Sequence, residues 1–190
     1  NEGVTREQEC EHLRRLPGQG ELPLQALKGN FLRLRLDGHS VKWERHSEFT
    51  RYSIVQPLPA TAWPGSADPA LLPSLAVPAE WLRSIPGRTV AAIKLVMVEA
   101  PLDDADAALA GARRWFNERS VVASLMGGGH SCAVTDFHLQ ASGFERILVL
   151  APAGTTPTRA GRISQRLLEL ETYRLMALRG LPVAKALGPL

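Results

Sequence analysis

The sequence places an unusually polar stretch, Trp-Glu-Arg-His-Ser-Glu at residues 43–48, inside a segment that otherwise has the pattern of a β-sheet. Side chains alternate between the two faces of a strand, so Glu44, His46 and Glu48 are expected on one face. Two carboxylates beside an imidazole can keep it charged, orient it as a general base or present metal ligands. A solvent-facing strand surface with cross-strand ion pairs explains the same pattern, and we favour that interpretation.

A second group of chemically capable residues, Asp136 and His138, lies two positions apart and therefore on one face of a later predicted strand. Together with His46 it would supply two histidines and one carboxylate, the side chains of a candidate metal site. Spacing alone does not bring the two segments together, and two cysteines are too few for a structural zinc site. We therefore expect no metal and no other cofactor. His12 is expected on the surface of the first helix.

The last predicted helix, residues 158–178, carries a basic residue within its apolar stripe. At about 100° per residue the stripe contains Ile163, Leu167, Leu170, Ala177 and Leu178, with Arg174 in its middle. A guanidinium there must find acceptors, because an unpaired buried charge is prohibitive. Beside it, Arg162, Arg166, Glu169 and Tyr173 follow one another along the helix. The helix therefore either locks onto the sheet through an internal ionic network, which we favour, or lines a ligand site.

Familiar catalytic motifs are missing from the sequence. It contains no Gly-x-Ser-x-Gly elbow, no phosphate-binding loop ending in Gly-Lys-Ser/Thr and no Cys-x-x-Cys pair. The glycines at 127–129 follow a predicted strand but precede another strand, so no helix N-terminus is available there for a phosphate.

Composition limits the class of protein. The 190 residues include 45% hydrophobic and 22% charged residues, close to the globular average, which excludes fibrous and disordered classes. The net charge of +3 is too small to indicate nucleic acid, although residues 156–190 hold six basic and only two acidic side chains. No apolar run reaches the roughly 18 residues of a membrane span, and the first residues do not have the pattern of a signal peptide. The low cysteine content favours a reducing compartment.

Hydrophobic periodicity and turn residues predict an α+β fold. Helices are predicted at 5–16, 78–85, 103–116 and 158–178, and strands at 31–36, 41–48, 49–55, 89–98, 121–126, 131–139 and 144–150. Each half of the chain is then a three-strand antiparallel meander with helices packed on one side. The long C-terminal helix is expected to lie across the sheet.

The two halves also show an internal similarity. Gly38-His39-Ser40 recurs as Gly129-His130-Ser131, and Phe49, Arg51 and Pro57 recur at one constant spacing as Phe144, Arg146 and Pro152. We therefore predict a single soluble domain over residues 1–190 that contains a duplication, with halves 1–87 and 88–190. The first half would need one further strand upstream of Asn1 to match the second.

Residues 43–52 and 160–182, together with Thr135-Asp136-Phe137, resemble a bacterial family of membrane-anchored proteins filed as domain of unknown function 3422. The family carries stretches much like Trp-Glu-Arg-His-Thr-Glu-Phe and Ala-Gly-Arg-Leu-x-Gln-Arg-Leu-Leu-Glu-Ile-Glu-Thr-Tyr-Arg. Matching positions are Trp43, Glu44, Arg45, His46, Glu48, Phe49, Ala160, Gly161, Arg162, Gln165, Arg166, Glu169, Glu171, Thr172, Tyr173, Arg174 and Met176. An arginine is common in the family where this chain has His138, which argues further against a metal site.

The resemblance implies no activity, since none is established for the family. It implies a longer protein, with an upstream stretch of which Asn1 and Glu2 are the remainder here and with a hydrophobic anchor after the region present here. The expected location is cytoplasmic, at the inner face of the bacterial membrane. Contact with the membrane would run only through segments outside this chain.

Two classes of function follow. The preferred one is a non-catalytic binding or interaction module whose arginines meet an acidic protein partner, an anionic small ligand or internal carboxylates, with no specific nucleic acid. Its candidate binding residues are Trp43, Arg45, Asp136, Arg162, Arg166, Glu169, Tyr173 and Arg174. The alternative is an enzyme in which His46 is the general base, Glu44 or Glu48 orients it, and arginines hold an anionic small-molecule substrate.

Overall fold

The computed structural model describes residues 3–18, 29–58 and 75–188. These residues fall into two compact units, one containing the described residues up to Arg88 and the other beginning at Thr89. We call them the first unit and the second unit. The chain is α+β, as predicted, with two separate antiparallel or mixed sheets and a long C-terminal helix.

The first unit is a three-strand antiparallel meander with two helices. Its elements are α1 (Arg6–Arg14), β1 (Phe31–Leu36), β2 (His39–Arg45), β3 (Thr50–Val55) and α2 (Ala79–Arg83), and its sheet order is β1-β2-β3. Helix α1 begins where the sequence predicted, because Thr5 and Gln8 form a reciprocal capping box, each side chain accepting from the other's backbone N–H. The core of this unit lies between α1, α2 and the sheet, and Trp43 at its centre is 0% exposed.

The second unit contains a four-strand mixed sheet. Its elements are β4 (Ile93–Glu99), α3 (Ala105–Arg113) with a 3₁₀ turn at Arg114–Phe116, β5 (Val122–Met126), β6 (Ser131–Thr135), β7 (Glu145–Ala151) and α4 (Pro157–Ala186). The predicted antiparallel meander is confirmed as β5-β6-β7, and β4 extends it by pairing in parallel with β7. Strand β7 is therefore central, and all but one of its residues are buried.

Four predicted boundaries are wrong by three residues or more. Strand β4 begins at Ile93 instead of 89. Strand β2 ends at Arg45 instead of 48, because the backbone N–H of His46 donates to Phe49 O at 2.8 Å and closes a turn. Strand β6 ends at Thr135 instead of 139, just before the positive φ of Phe137 turns the chain away. Helix α4 continues to Ala186 through Pro182. Its end is fully exposed, so water can satisfy the carbonyl that the proline ring leaves without a donor.

In both units a helix precedes a three-strand meander and a second helix follows it. The predicted duplication depends on this order of elements. The duplication itself stays a prediction.

Candidate functional site

The polar stretch of the first unit does not form one cluster. Trp43 is part of the core, and Glu44 accepts from Lys42 Nζ at 2.8 Å on its own strand and lies 3.9 Å from Arg51 Nη1 on β3. The alternation that was to place Glu44 beside His46 and Glu48 ends with β2 at Arg45. Glu44 therefore belongs to a cross-strand ion pair, the type of arrangement that we favoured for this face.

His46 and Glu48 lie in the exposed turn between β2 and β3. The His46 ring packs on Phe49 with ring centroids 4.8 Å apart. Hydrogen bonds from Ser47 and from its own backbone lower the pKa of Glu48. The catalytic roles assigned to His46, Glu44 and Glu48 stay a prediction, and neither described cavity is lined by these residues.

Arg45 belongs to a buried network that ties α1 to the sheet. Its Nη1 donates to Glu9 Oε2 at 2.7 Å, and its Nη2 donates to Val4 O at 3.0 Å. The Thr50 hydroxyl donates to the other Glu9 oxygen at 2.6 Å. Glu9 is only 1% exposed, so all of its partners come from the protein. Glu9 was not among the candidate residues predicted from the sequence.

His12 is a buried residue, so its expected surface position is wrong. Its Nε2 donates to Trp81 O at 2.8 Å, and Trp81 Nε1 donates back to His12 O at 3.1 Å, which joins α1 to α2. Burial, with help from Arg15, lowers the pKa of His12. Its Nδ1 has no hydrogen-bond partner among the described residues. His12 also lines a groove of about 320 Å³, together with other residues of α1 and with Ser84 and Pro86.

In the second unit, Arg174 joins two buried carboxyl groups. Its Nε donates to both oxygens of Glu171, at 2.8 and 2.9 Å, and its Nη2 donates to both oxygens of Glu145, at 3.0 and 2.8 Å. Each glutamate is 6% exposed. The guanidinium also lies 4.7 Å from the ring centroid of Phe137, on a loop of the same unit. The network fixes α4 against the start of β7.

The two carboxyl groups of this network titrate differently. Burial, and then a hydrogen bond with Glu171, raise the pKa of Glu145 to about 7. Burial alone would raise the pKa of Glu171 as well, but hydrogen bonds from Arg174 and Glu145 bring it below its ordinary value. Below a pH of about 7 the pair therefore takes up one proton, which Glu145 is favoured to carry because Glu171 is held ionised by Arg174.

A Glu145→Gln variant should show how this proton affects stability. A raised carboxyl pKa stabilises the fold fully below the ordinary value of 4.5, and this contribution is lost as the pH rises through about 7. Glutamine keeps the neutral, hydrogen-bonding form at every pH. The free energy of unfolding of the variant, relative to that of the wild-type protein, should therefore rise by about 1–3 kcal/mol from pH 5 to pH 8.

Urea unfolding at a series of pH values measures this difference. Glu99→Gln, at an exposed position on β4, is the matched control and should leave the pH dependence unchanged. A difference between Glu145→Gln and wild type that stays constant from pH 5 to pH 8 would contradict the raised pKa, because it would show that Glu145 does not titrate differently on folding in this range.

The remaining candidate residues of the second unit are dispersed. Asp136 accepts from the backbone N–H of His138 at 3.2 Å and from Gln140 Nε2 at 3.4 Å, and so holds its own loop. Among the described residues, no three His, Cys, Asp or Glu side chains come close enough to hold a metal ion. Arg162, Arg166 and Tyr173 are exposed on α4, and Glu169 is half-buried and accepts from Gln165.

The face of α4 that packs on the sheet differs from the predicted stripe. Leu170 and Leu178 are 68% and 50% exposed. The buried or half-buried positions in this part of the helix are instead Ile163, Ser164, Leu167, Leu168, Glu169, Glu171, Thr172, Arg174, Leu175 and Met176. This orientation of the helix brings Arg174 and Glu171 together with Glu145 and leaves Leu170 exposed.

A family profile described as "Protein of unknown function (DUF3422)" matches residues 1–190, the whole chain. The chain belongs to this family. Nothing among curated proteins and nothing among solved structures matches it. No helix in the described part of the chain has the length and apolar character needed to cross a bilayer. Membership in the family assigns no activity, so the function has to be argued from the surface of the protein itself.

Proposed function

We propose that this protein is a non-catalytic interaction module and that the outer stripe of α4 binds an acidic amphipathic helix of a protein partner. The outer stripe consists of Arg162, Arg166, Leu170, Tyr173, Ala177, Leu181 and Ala184. The observation that carries the proposal is the exposure of large apolar side chains along it, with Leu170 at 68%, Tyr173 at 62% and Leu181 at 44%.

These residues form one continuous surface. Their spacings of three and four residues place them within about 100° of the helix circumference, on the side opposite Leu168. All of them are exposed, and the last turns of α4 from 177 to 188 are exposed on every side. Large apolar residues grouped along one helix face favour a partner helix over bulk water.

Charge indicates the chemistry of the partner. The stripe begins with Arg162 and Arg166, and Lys185 borders its other end. Of the two acidic residues on α4, Glu171 is used internally by Arg174, so only Glu169 lies near the stripe. An acidic helix with its own apolar face is therefore the complement of this surface.

The place of the module in the cell is part of the same proposal. The resemblance to a membrane-anchored bacterial family supports a position at the cytoplasmic face of the inner membrane, with an anchor outside this chain. The partner would then be met at that membrane.

Site-directed photo-crosslinking in cells tests the proposal. A benzoylphenylalanine placed at position 173 or 181 should form adducts whose peptides derive from acid-rich, amphipathic helical segments of another protein. The same group at Leu125, an apolar position of β5 that is 63% exposed, is the matched control and should give no such adduct. With the partner identified, Leu181→Glu should weaken binding at least about tenfold, and Arg166→Glu about threefold, with loss in high salt.

Adducts between two copies of this chain would replace the proposal with self-association. Absence of any adduct at 173 and 181 would overturn it, as would equal labelling at Leu125.

A further inference from the structure

The second unit contains a small cavity on the side of the sheet opposite α4. Glu145 and Arg146 are consecutive in β7, so Arg146 points away from the network described above. In the parallel neighbour β4, Lys94 is in register with Arg146. Both basic side chains line a cavity of about 10 Å³, which is closed further by Trp115 and Phe116 from the 3₁₀ turn.

The unpaired polar atoms of the residues that line this cavity are donors. Arg146 Nε and Nη2 and Trp115 Nε1 are buried, and none of the three has a hydrogen-bond partner among the described residues. Trp115 is 4% exposed. The Arg146 guanidinium lies 5.4 Å from the ring centroid of Phe116. The ring stabilises the positive charge, but it accepts no hydrogen bond from the N–H groups in the guanidinium plane. Buried donors of this kind nearly always have an acceptor in folded proteins.

The two cations are also poorly compensated. Burial, and then the Arg146 charge, lower the pKa of Lys94. Burial likewise lowers the pKa of Arg146, and Asp136 offsets this only in part while Arg119 adds to it. Arg119 is exposed, so it lies at the edge of this group of charges. Two partly buried positive groups side by side need a negative charge nearby.

The first unit shows which partner the Arg146 guanidinium lacks. There, Arg51 on β3 faces Glu44 across the strand pair, and the two form an ion pair. Extending the register of β6 and β7 would place Asp136 opposite Arg146 in the same way. Strand β6 stops one residue earlier, however, and the Asp136 carboxylate accepts from its own loop instead. The place beside Arg146 that the Asp136 carboxylate would occupy in such a pair therefore has no carboxylate oxygen.

We propose that this cavity binds one small monovalent anion of the halide type, held by Lys94, Arg146 and Trp115. The cavity is small, about 10 Å³, which favours a single compact ion over a phosphate or carboxylate group. A halide accepts several N–H bonds at once and brings the negative charge that the two cations lack. A water molecule would fill the same volume but would leave both charges uncompensated.

Thermal unfolding in different sodium salts at equal ionic strength tests the site. With chloride or bromide in place of gluconate, the unfolding temperature should rise in a saturable manner by a few degrees, on the order of 2–5 °C. Lys94→Gln should remove most of this rise. The matched control, Arg162→Gln on the exposed side of α4, should retain it.

Crystals grown with bromide supply a second, independent measurement that does not depend on the variant folding well. An anomalous peak beside Arg146 and Trp115 is the expected result. A halide effect equal in Lys94→Gln and in the wild-type protein would overturn the proposal, and so would a cavity that holds water and no anomalous peak in saturating bromide.

Discussion

Replacing Arg174 with methionine should lower the free energy of unfolding by about 3 kcal/mol. Methionine keeps most of the length of the side chain but removes the only described cation that bonds to both Glu145 and Glu171. Each of these glutamates is 6% exposed and cannot turn to water without moving α4 from β7. The loss therefore comes chiefly from the carboxyl groups left behind, and not from the value of the ion pair itself.

Urea unfolding, with hydrogen exchange followed by mass spectrometry, measures this effect. Peptides from β7 and the middle of α4 should exchange faster, since they contain the residues that lose their partner. Arg166→Met, on the exposed side of the same helix, is the matched control and should change stability by less than about 0.5 kcal/mol. Adding Glu145→Gln and Glu171→Gln to Arg174→Met should restore much of the loss, because no buried charge then remains.

A loss below about 1 kcal/mol in Arg174→Met would show that water reaches the two carboxyl groups. The network would then lie at the surface in solution, and the pH effect predicted for Glu145 should disappear as well.

The features that the sequence predicted well are those that depend on neighbours in the chain. The alternation at 31–36 with the following Asp-Gly turn specified the first hairpin, and Thr5 specified the start of α1. The apolar, β-branched run at 89–98 predicted a strand, which is β4, although β4 lies at the edge of its sheet and not in the centre that such a run favours. In each case the local pattern and the tertiary structure favour the same conformation.

The features that it missed depend on partners far away in the chain. The sequence showed that Arg174 needs acceptors, but Glu145 lies 29 residues earlier and is only the first residue of an apolar strand. The orientation of α4 goes with that pairing, and the spacing of apolar residues along the helix does not reveal it. His12 was misplaced for the same reason, because its burial depends on a reciprocal bond with Trp81, which is 69 residues away.

Both units fasten a helix to a sheet by the same means with the charges exchanged. In the first unit the helix α1 supplies the acid Glu9 and the sheet supplies Arg45, whereas in the second unit α4 supplies Arg174 and β7 supplies Glu145. These four charged residues therefore hold a helix in place on a sheet. In the outer stripe of α4 and at the Lys94–Arg146 cavity, by contrast, side chains have chemistry that the fold does not use.

The corresponding change in the first unit, Arg45→Met, should have the larger effect, with a loss of about 4 kcal/mol. Glu9 is 1% exposed, and after the substitution its only described hydrogen-bond donor from a side chain is Thr50. The Val4 carbonyl, which also accepts from Arg45, loses that donor too. The start of α1 should therefore loosen from β2 and β3, and amides of α1 should exchange faster than those of α4.

Arg33→Met, on an exposed position of β1, is the matched control and should stay within about 0.5 kcal/mol of the wild-type protein. Combining Arg45→Met with Glu9→Gln should recover part of the loss, because glutamine can still accept from Thr50 without leaving a buried charge. If the double variant is as unstable as Arg45→Met alone, the arginine acts through its packing and its bond to Val4, and the charge of Glu9 does not determine how α1 is held.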